Sequence, residues 1–248
     1  MADGTSAAAR KFDADRAGEY AQQSRIALAG YEACHELAAC MLAAVLGSGT
    51  PARLLIVGAG GGGPEIVTAA ALEPGWRFTA VDPSSAMMDL TIARLEQDGL
   101  HDRTEIVLGT VDALPQDAVY DAATLIGVLH HLPGDAEKRA ILQAIAARLK
   151  PGAPLVLAGN HYAYASQPLL LAAWGERWRQ HGASADAIEA RRGKILQGGR
   201  SAPFRGGRRG PAGCRRLRAS EPLLFQPVLG RVARAAPCRK RRRRLSPD

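Results

Sequence analysis

From Arg53 onward the chain alternates short apolar runs with longer mixed stretches, and this alternation predicts strands at 53–57, 77–82, 104–108, 121–127 and 154–159. Helices are predicted from Pro64, over 85–98 and over 135–149. Pro64 suits a first helical position, Ser84 or Ser85 a cap, and Lys150-Pro151-Gly152 a helix stop. Strands separated by helices imply an α/β fold: a doubly wound, mainly parallel sheet of Rossmann-like type with helices on both faces. Residues 12–47 have helical spacing, with Tyr20, Ile26, Leu28, Tyr31, Leu37, Met41, Leu42 and Val45 as expected buried positions before Gly47-Ser48-Gly49. Two more helices, about 165–180 and 184–197, are expected after the fifth strand.

Past residue 199 the periodicity stops. Glycine, proline and arginine dominate, and only Leu223-Leu224-Phe225 and Val228-Leu229 offer apolar runs able to pack. No hairpin pattern is visible there, so a carboxyl-terminal hairpin is expected to be missing and the segment to be disordered or weakly structured. The expected organisation is a helical lead-in that covers the substrate (1–49), a cofactor-binding core (50–160), a helical continuation of the same domain (161–199) and a basic tail (200–248).

Charge sharpens that division. The net charge is +8, but residues 200–248 carry 15 of the 32 Lys and Arg against two acids, Glu221 and Asp248. The remaining body has 17 basic and 22 acidic side chains, so basicity belongs to the tail alone. The 248 residues, 47% apolar, suffice for a real core. Cys34, Cys40, Cys214 and Cys238 show no CxxC spacing, so neither a disulfide framework nor a metal site is expected, and a reducing cytoplasm fits. No stretch reaches the roughly 18 apolar residues of a membrane span. Nothing in the sequence specifies an oligomeric state.

The densest chemistry lies in Leu54-Leu55-Ile56-Val57-Gly58-Ala59-Gly60-Gly61-Gly62-Gly63, a buried strand running into side-chain-free residues that let a ligand touch backbone. Asp82 ends the next strand, one strand-helix-strand unit later, where its carboxylate can accept hydrogen bonds from ribose hydroxyls. Gly58, Gly60 and Gly63 satisfy GxGxxG, which admits a nicotinamide or flavin dinucleotide and with it an oxidoreductase. A dinucleotide places its pyrophosphate on the free amides of the following helix. Here Pro64 removes one amide and Glu65 adds an anion, which opposes a diphosphate by about a kcal/mol. S-adenosylmethionine carries no phosphate, and its ammonium tolerates a nearby acid.

Further along, AVDPSSAMM (80–88), GTVDALP (109–115), YDAATLIGVLHHLP (120–133) and LKPGAPLVLAG (149–159) follow the glycine loop in order. In this succession the chain resembles the class I S-adenosylmethionine-dependent methyltransferases over about residues 50–160. The resemblance implies that Gly58, Ala59, Gly60 and Gly62 line the methionine part of the cofactor and that Asp82, with Pro83 beside it, binds the ribose. It also implies that Asp112 meets the adenine amino group, with Val111 and Ala113 against the base, and that Ile126 and Gly127 end the fourth strand where cofactor and acceptor meet. Many members carry an acid two residues before the first glycine, where this chain has Ile56; Glu65 or a carbonyl would then face the ammonium. The lead-in FDADRAGEYAQQSRIALAGYEACHEL resembles, more loosely, the carboxy-S-adenosylmethionine synthase-like members.

Each assignment has a plainer competitor. Asp82 can cap the turn before Pro83-Ser84-Ser85, and Asp112 can be a turn acid before Leu114-Pro115. His130 and His131 are candidate bases, as is Tyr20 for catalysis, although a His pair at a strand end also serves to orient or pack. Methyl transfer needs a base only if the acceptor must lose a proton. The acceptor is expected to be a small molecule, covered by Tyr20, Arg25, Tyr31, His161, Tyr162 and Tyr164. For the tail, Arg239-Lys240-Arg241-Arg242-Arg243-Arg244 offers an electrostatic contact for nucleic acid. The competing account is a reading frame shifted by one base near residues 198–203, which in GC-rich coding DNA produces Arg, Gly, Pro and Ala runs.

Overall fold

The computed structural model describes Glu19, residues 23–26, 30–159 and 164–198, and the backbone of two strands at 217–222 and 231–235. In chain order the elements are α1 (Tyr31–Leu46), β1 (Arg53–Val57), α2 (Pro64–Leu72), β2 (Arg77–Asp82), α3 (Ser85–Gln97), β3 (Thr104–Leu108), β4 (Ala122–Ile126), α4 (Gly134–Arg148), β5 (Pro154–Ala158), α5 (Pro168–Gln180), α6 (Ala185–Gly198), β6 (Leu217–Pro222) and β7 (Arg231–Ala235). They build one seven-stranded sheet in the order β3-β2-β1-β4-β5-β7-β6. The first five strands are parallel, whereas β7 runs antiparallel to both β5 and β6.

The period of two in β1 explains why its apolar run is unbroken. Leu54 and Ile56 face a core shared with Ala38, Leu42, Ile66 and Phe78, on the side of α1 and α2. Leu55 and Val57 face the opposite core with Leu125, Leu142, Ile145 and Leu155, on the side of α4. A strand covered by helices on both faces has no solvent side, so polar alternation is absent. Ile56 itself is fully buried among these side chains, so that position holds packing.

Helix boundaries follow local chemistry. Pro64 opens α2, Ser84 caps α3 by accepting the Met87 N–H at 3.3 Å, and the α4 backbone leaves helical geometry at Leu149, just before Lys150-Pro151-Gly152. The buried face of α1 is His35, Ala38, Ala39, Leu42 and Ala43, an i, i+3, i+4, i+7, i+8 spacing whose small residues let the helix lie close to α2. Ile26 and Leu42 are buried as expected, while Tyr31, Leu37, Met41 and Val45 are half-buried. Tyr20, Leu28, His161 and Tyr162 lie outside the described residues, as does much of the segment that carries the carboxy-S-adenosylmethionine synthase likeness.

One expectation requires correction. The carboxyl-terminal hairpin is present: β6 and β7 pair with each other and β7 pairs with β5 from Pro154↔Arg234 to Leu157↔Arg231. The expected disorder therefore does not hold at 217–222 and 231–235. The open edge of β5 offers a row of unpaired N–H and C=O groups, and backbone pairing satisfies them without the apolar alternation that would reveal a strand in the sequence.

Candidate cofactor site

Strand order reverses between β1 and β4, since the chain leaves β3 at one side of the sheet and re-enters beside β1. Ligands of such sheets lie outside the carboxyl ends of the strands at this switch point. A cavity of about 150 Å³ occupies that place. Its wall runs across the ends of four strands: Gly109 to Val111 after β3, Asp82 to Ser84 after β2, Gly58 and Gly60 after β1, and Ile126 to Val128 after β4. Val57, Val81, Met87, His131, Leu132 and Ile141 complete it.

Asp82 is the one acid in this wall, and both of its oxygens are oriented by backbone. Oδ2 accepts the Gly60 N–H at 3.0 Å and Oδ1 the Ser84 N–H at 2.9 Å. Burial raises its pKa above the ordinary aspartate value, and the two amides pull it partly back. Gly60 lies against this carboxylate and Gly58 against Val128, and neither has room for a Cβ. A Cβ at Gly60 would fall 2.6 Å from Met87 Cβ and 2.8 Å from Asp82 Oδ2, and one at Gly58 would run into the Val128 side chain.

The amides of residues 58 to 62 are spoken for within the protein. Those of Gly58 and Ala59 donate to Val81 O at 2.8 and 3.2 Å, and that of Gly61 to Met87 O at 2.9 Å. The Gly62 amide donates to Thr91 Oγ1 at 3.1 Å. In the first turn of α2 lies the buried carboxylate of Glu65. A diphosphate would thus find satisfied donors and a buried acid where it needs free amides. Glu65 also lies 3.8 Å from His35 Nε2, both side chains being almost fully buried, and burial raises the carboxyl pKa.

The other sequence candidates distribute as follows. Gly58, Gly60, Asp82, Pro83, Val111, Ile126 and Gly127 line the cavity. Ala59 is buried beneath the loop, and Gly62 is tied to Thr91 behind it. Asp112 and Ala113 lie in the turn Val111–Ala113, exposed to solvent beside the Gly109–Val111 part of the cavity and outside its wall. His131 reaches the wall while His130 packs against it, with ring centroids 4.0 Å apart and the rings tilted by 48°. Arg25 pairs with Glu32 at 2.6 Å and lies over the Tyr31 ring, and Arg177 of α5 donates to the carbonyls of Arg25 and Ile26 at 2.8 Å each. Tyr164 packs on Trp174, and burial lifts its pKa to about 12. These three acceptor-cover candidates stand apart from the described cavity wall.

Sequence reasoning missed Ser84 at the N-cap of α3, Met87 in its first turn and Thr91, which bonds the loop from its second, together with Gly109, Thr110, Leu132 and Ile141. The capping serine was readable, but its part in orienting Asp82 was not.

The donor set suits a nucleoside cofactor without phosphates: an oriented carboxylate for a ribose diol, apolar walls at Val81, Met87, Val111, Leu132 and Ile141 for a base, and bare backbone at the β1 and β4 ends. Residues 55–155 match the protein family described as a methyltransferase domain. An O-methyltransferase family protein from Burkholderia thailandensis shares the fold at TM-score 0.55, with 15% identity, 91% of this chain and 61% of that one covered. A candidate S-adenosyl-L-methionine-dependent methyltransferase from Methanococcus maripaludis gives TM-score 0.58 and 17% identity over 96% of this chain and 98% of that one. The mitomycin 7-O-methyltransferase MmcR gives 0.59 and 20% over 95% and 62%. The chain thus spans about six tenths of the Burkholderia and mitomycin proteins. No curated protein sequence matches it. Over residues 55–155 the match to the methyltransferase-domain family and the strand order agree, and this part of the chain is similar to methyltransferase domains.

Proposed function

We propose that the chain binds S-adenosylmethionine in the cavity at the strand ends and methylates a small-molecule acceptor by in-line transfer. The observation that carries this reading is Asp82, held by two backbone amides between an apolar slot and a glycine loop whose own amides are already used. The cofactor supplies a methyl group on a sulfonium, which needs no phosphate-binding donors.

In this reading Asp82 accepts both ribose hydroxyls and Pro83 shapes the turn beside them. Gly109 to Val111, with Leu132 and Ile141, enclose the base, and Asp112 at the rim meets the adenine amino group. Gly58, Gly60 and Gly127 let the methionine half lie against backbone, with Ala59 and Gly62 shaping the loop and Ile126 behind it. Charge disperses in such a displacement, so the protein contributes chiefly by alignment and by excluding water. His131 at the wall, with His130 against it, is placed to take a proton where the acceptor must lose one. The cysteines Cys34 and Cys40 are free thiols, which supports a reducing, cytoplasmic setting.

The test is calorimetric titration of the purified chain with S-adenosylhomocysteine, with NAD as comparator. Micromolar binding of the first and none of the second is expected. The reverse result overturns the assignment in favour of a dinucleotide enzyme.

A further inference from the structure

Thr91 belongs to the second turn of α3 and is fully buried, yet its hydroxyl sits inside the glycine loop. Oγ1 donates to Ala59 O at 2.7 Å and accepts the Gly62 N–H at 3.1 Å. One hydroxyl has a single proton and two lone pairs, so both bonds form at once. The carbonyl of Met87, 3.4 Å from the hydroxyl, accepts the Gly61 N–H at 2.9 Å instead. Residues 59 to 62 are therefore moulded on α3, and among the described residues Thr91 is the side chain whose hydrogen bonds reach both flanks of this turn.

The consequence is local to one end of the cavity. Asp82 stands at the end of β2, so a nucleoside bound to it has its base on the β3 side and the rest of the molecule over β1 and β4. The β3 side is held by other bonds: Gly109 N–H to Asp82 O at 2.9 Å and Ala113 N–H to Thr110 O at 2.9 Å. Asp82 keeps its Ser84 bond whatever the loop does. Loosening the loop thus disturbs the β1 side first.

We propose that Thr91 is a positioning residue for the cofactor: by bonding Ala59 and Gly62 it sets the height of the glycine loop and thereby the seat of the amino-acid half of S-adenosylmethionine. This inference rests on the cofactor reading above. It assigns the hydroxyl a role separable from packing, because valine has nearly the same shape and lacks both bonds.

The test compares S-adenosylhomocysteine with 5′-methylthioadenosine, which has the same nucleoside and thioether without the amino-acid group, in wild type, T91V, T91A and T91S. T91V and T91A are expected to bind S-adenosylhomocysteine about tenfold more weakly and 5′-methylthioadenosine within about twofold of wild type. T91S, which keeps the hydroxyl, is expected to match wild type on both and remains decisive if the other two do not fold. Three outcomes overturn the role: wild-type affinity in T91V, equal losses on both ligands, or a loss of S-adenosylhomocysteine affinity in T91S. A wild-type chain that binds neither ligand instead overturns the cofactor reading itself, so the two failures are told apart.

Discussion

In the proposed role Asp82 joins two opposing demands: it must be desolvated enough to sit in an apolar cavity and ionised enough to accept ribose hydroxyls. Burial raises its pKa, so in the folded chain the proton is favoured over a wider pH range than for an ordinary aspartate. The sign follows directly: for this group alone, the fold gains stability as pH falls through the raised pKa, while binding that needs the carboxylate loses over the same interval. Affinity for S-adenosylhomocysteine should therefore decline on acidification before ordinary aspartates titrate, as followed by calorimetry across pH. In D82N that slope should vanish, at an affinity about tenfold to a hundredfold below the wild type at neutral pH. Gly60 is a second residue-scale test. The methyl of G60A lands on Met87 Cβ, a position too close to the helix backbone to swing aside, so overpacking of about 1–3 kcal/mol is expected. The thermal midpoint should fall by roughly 3–10 °C. Both residues were legible in the sequence because a run of glycines after an apolar strand, followed one unit later by an acid, has few other uses. Thr91 was not, since a threonine in a helix carries no sign that its hydroxyl reaches back 32 residues to Ala59.

At the scale of elements, the five parallel strands and the helices between them were readable because both faces of the sheet are covered, which makes each strand a compact apolar run. The buried face of α1 was harder to see. Its alanines and His35 carry little hydrophobic signal, and only contact with α2 shows that small size is what the position needs. The hairpin of β6 and β7 was unreadable for a different reason, as its pairing is set by the edge of β5. An element-level contact that can be tested is the clamp from α5 to the lead-in, where Arg177 holds the carbonyls of Arg25 and Ile26. In R177A the segment 23–26 loses both bonds, and trypsin cleavage after Arg25 should accelerate several-fold. The described cavity wall contains none of these residues, so S-adenosylhomocysteine affinity should stay within about twofold of wild type. A parallel loss of affinity would show that the lead-in closes over the cofactor itself.

In the whole molecule, the parts that would bind the cofactor and the parts that complete the sheet are far apart in the chain. Every residue lining the cavity lies between Val57 and Ile141, whereas β5 is protected on its outer side by β7, from residues 231–235. Removing residues 200–248 should therefore separate stability from binding. The shortened chain exposes β5, whose side chains are buried on both faces and whose backbone then invites pairing with another copy. A lower thermal midpoint and concentration-dependent light scattering are expected, with S-adenosylhomocysteine affinity within about threefold of the full chain for the fraction that remains monomeric. Because a ligand that binds only the folded state stabilises it by mass action, a hundredfold excess over Kd should restore about 2.7 kcal/mol and suppress the scattering. If affinity collapses together with stability, the hairpin shapes the cavity through β5 and β4. If neither changes, β5 tolerates an open edge and the contribution of the basic segment lies outside the sheet.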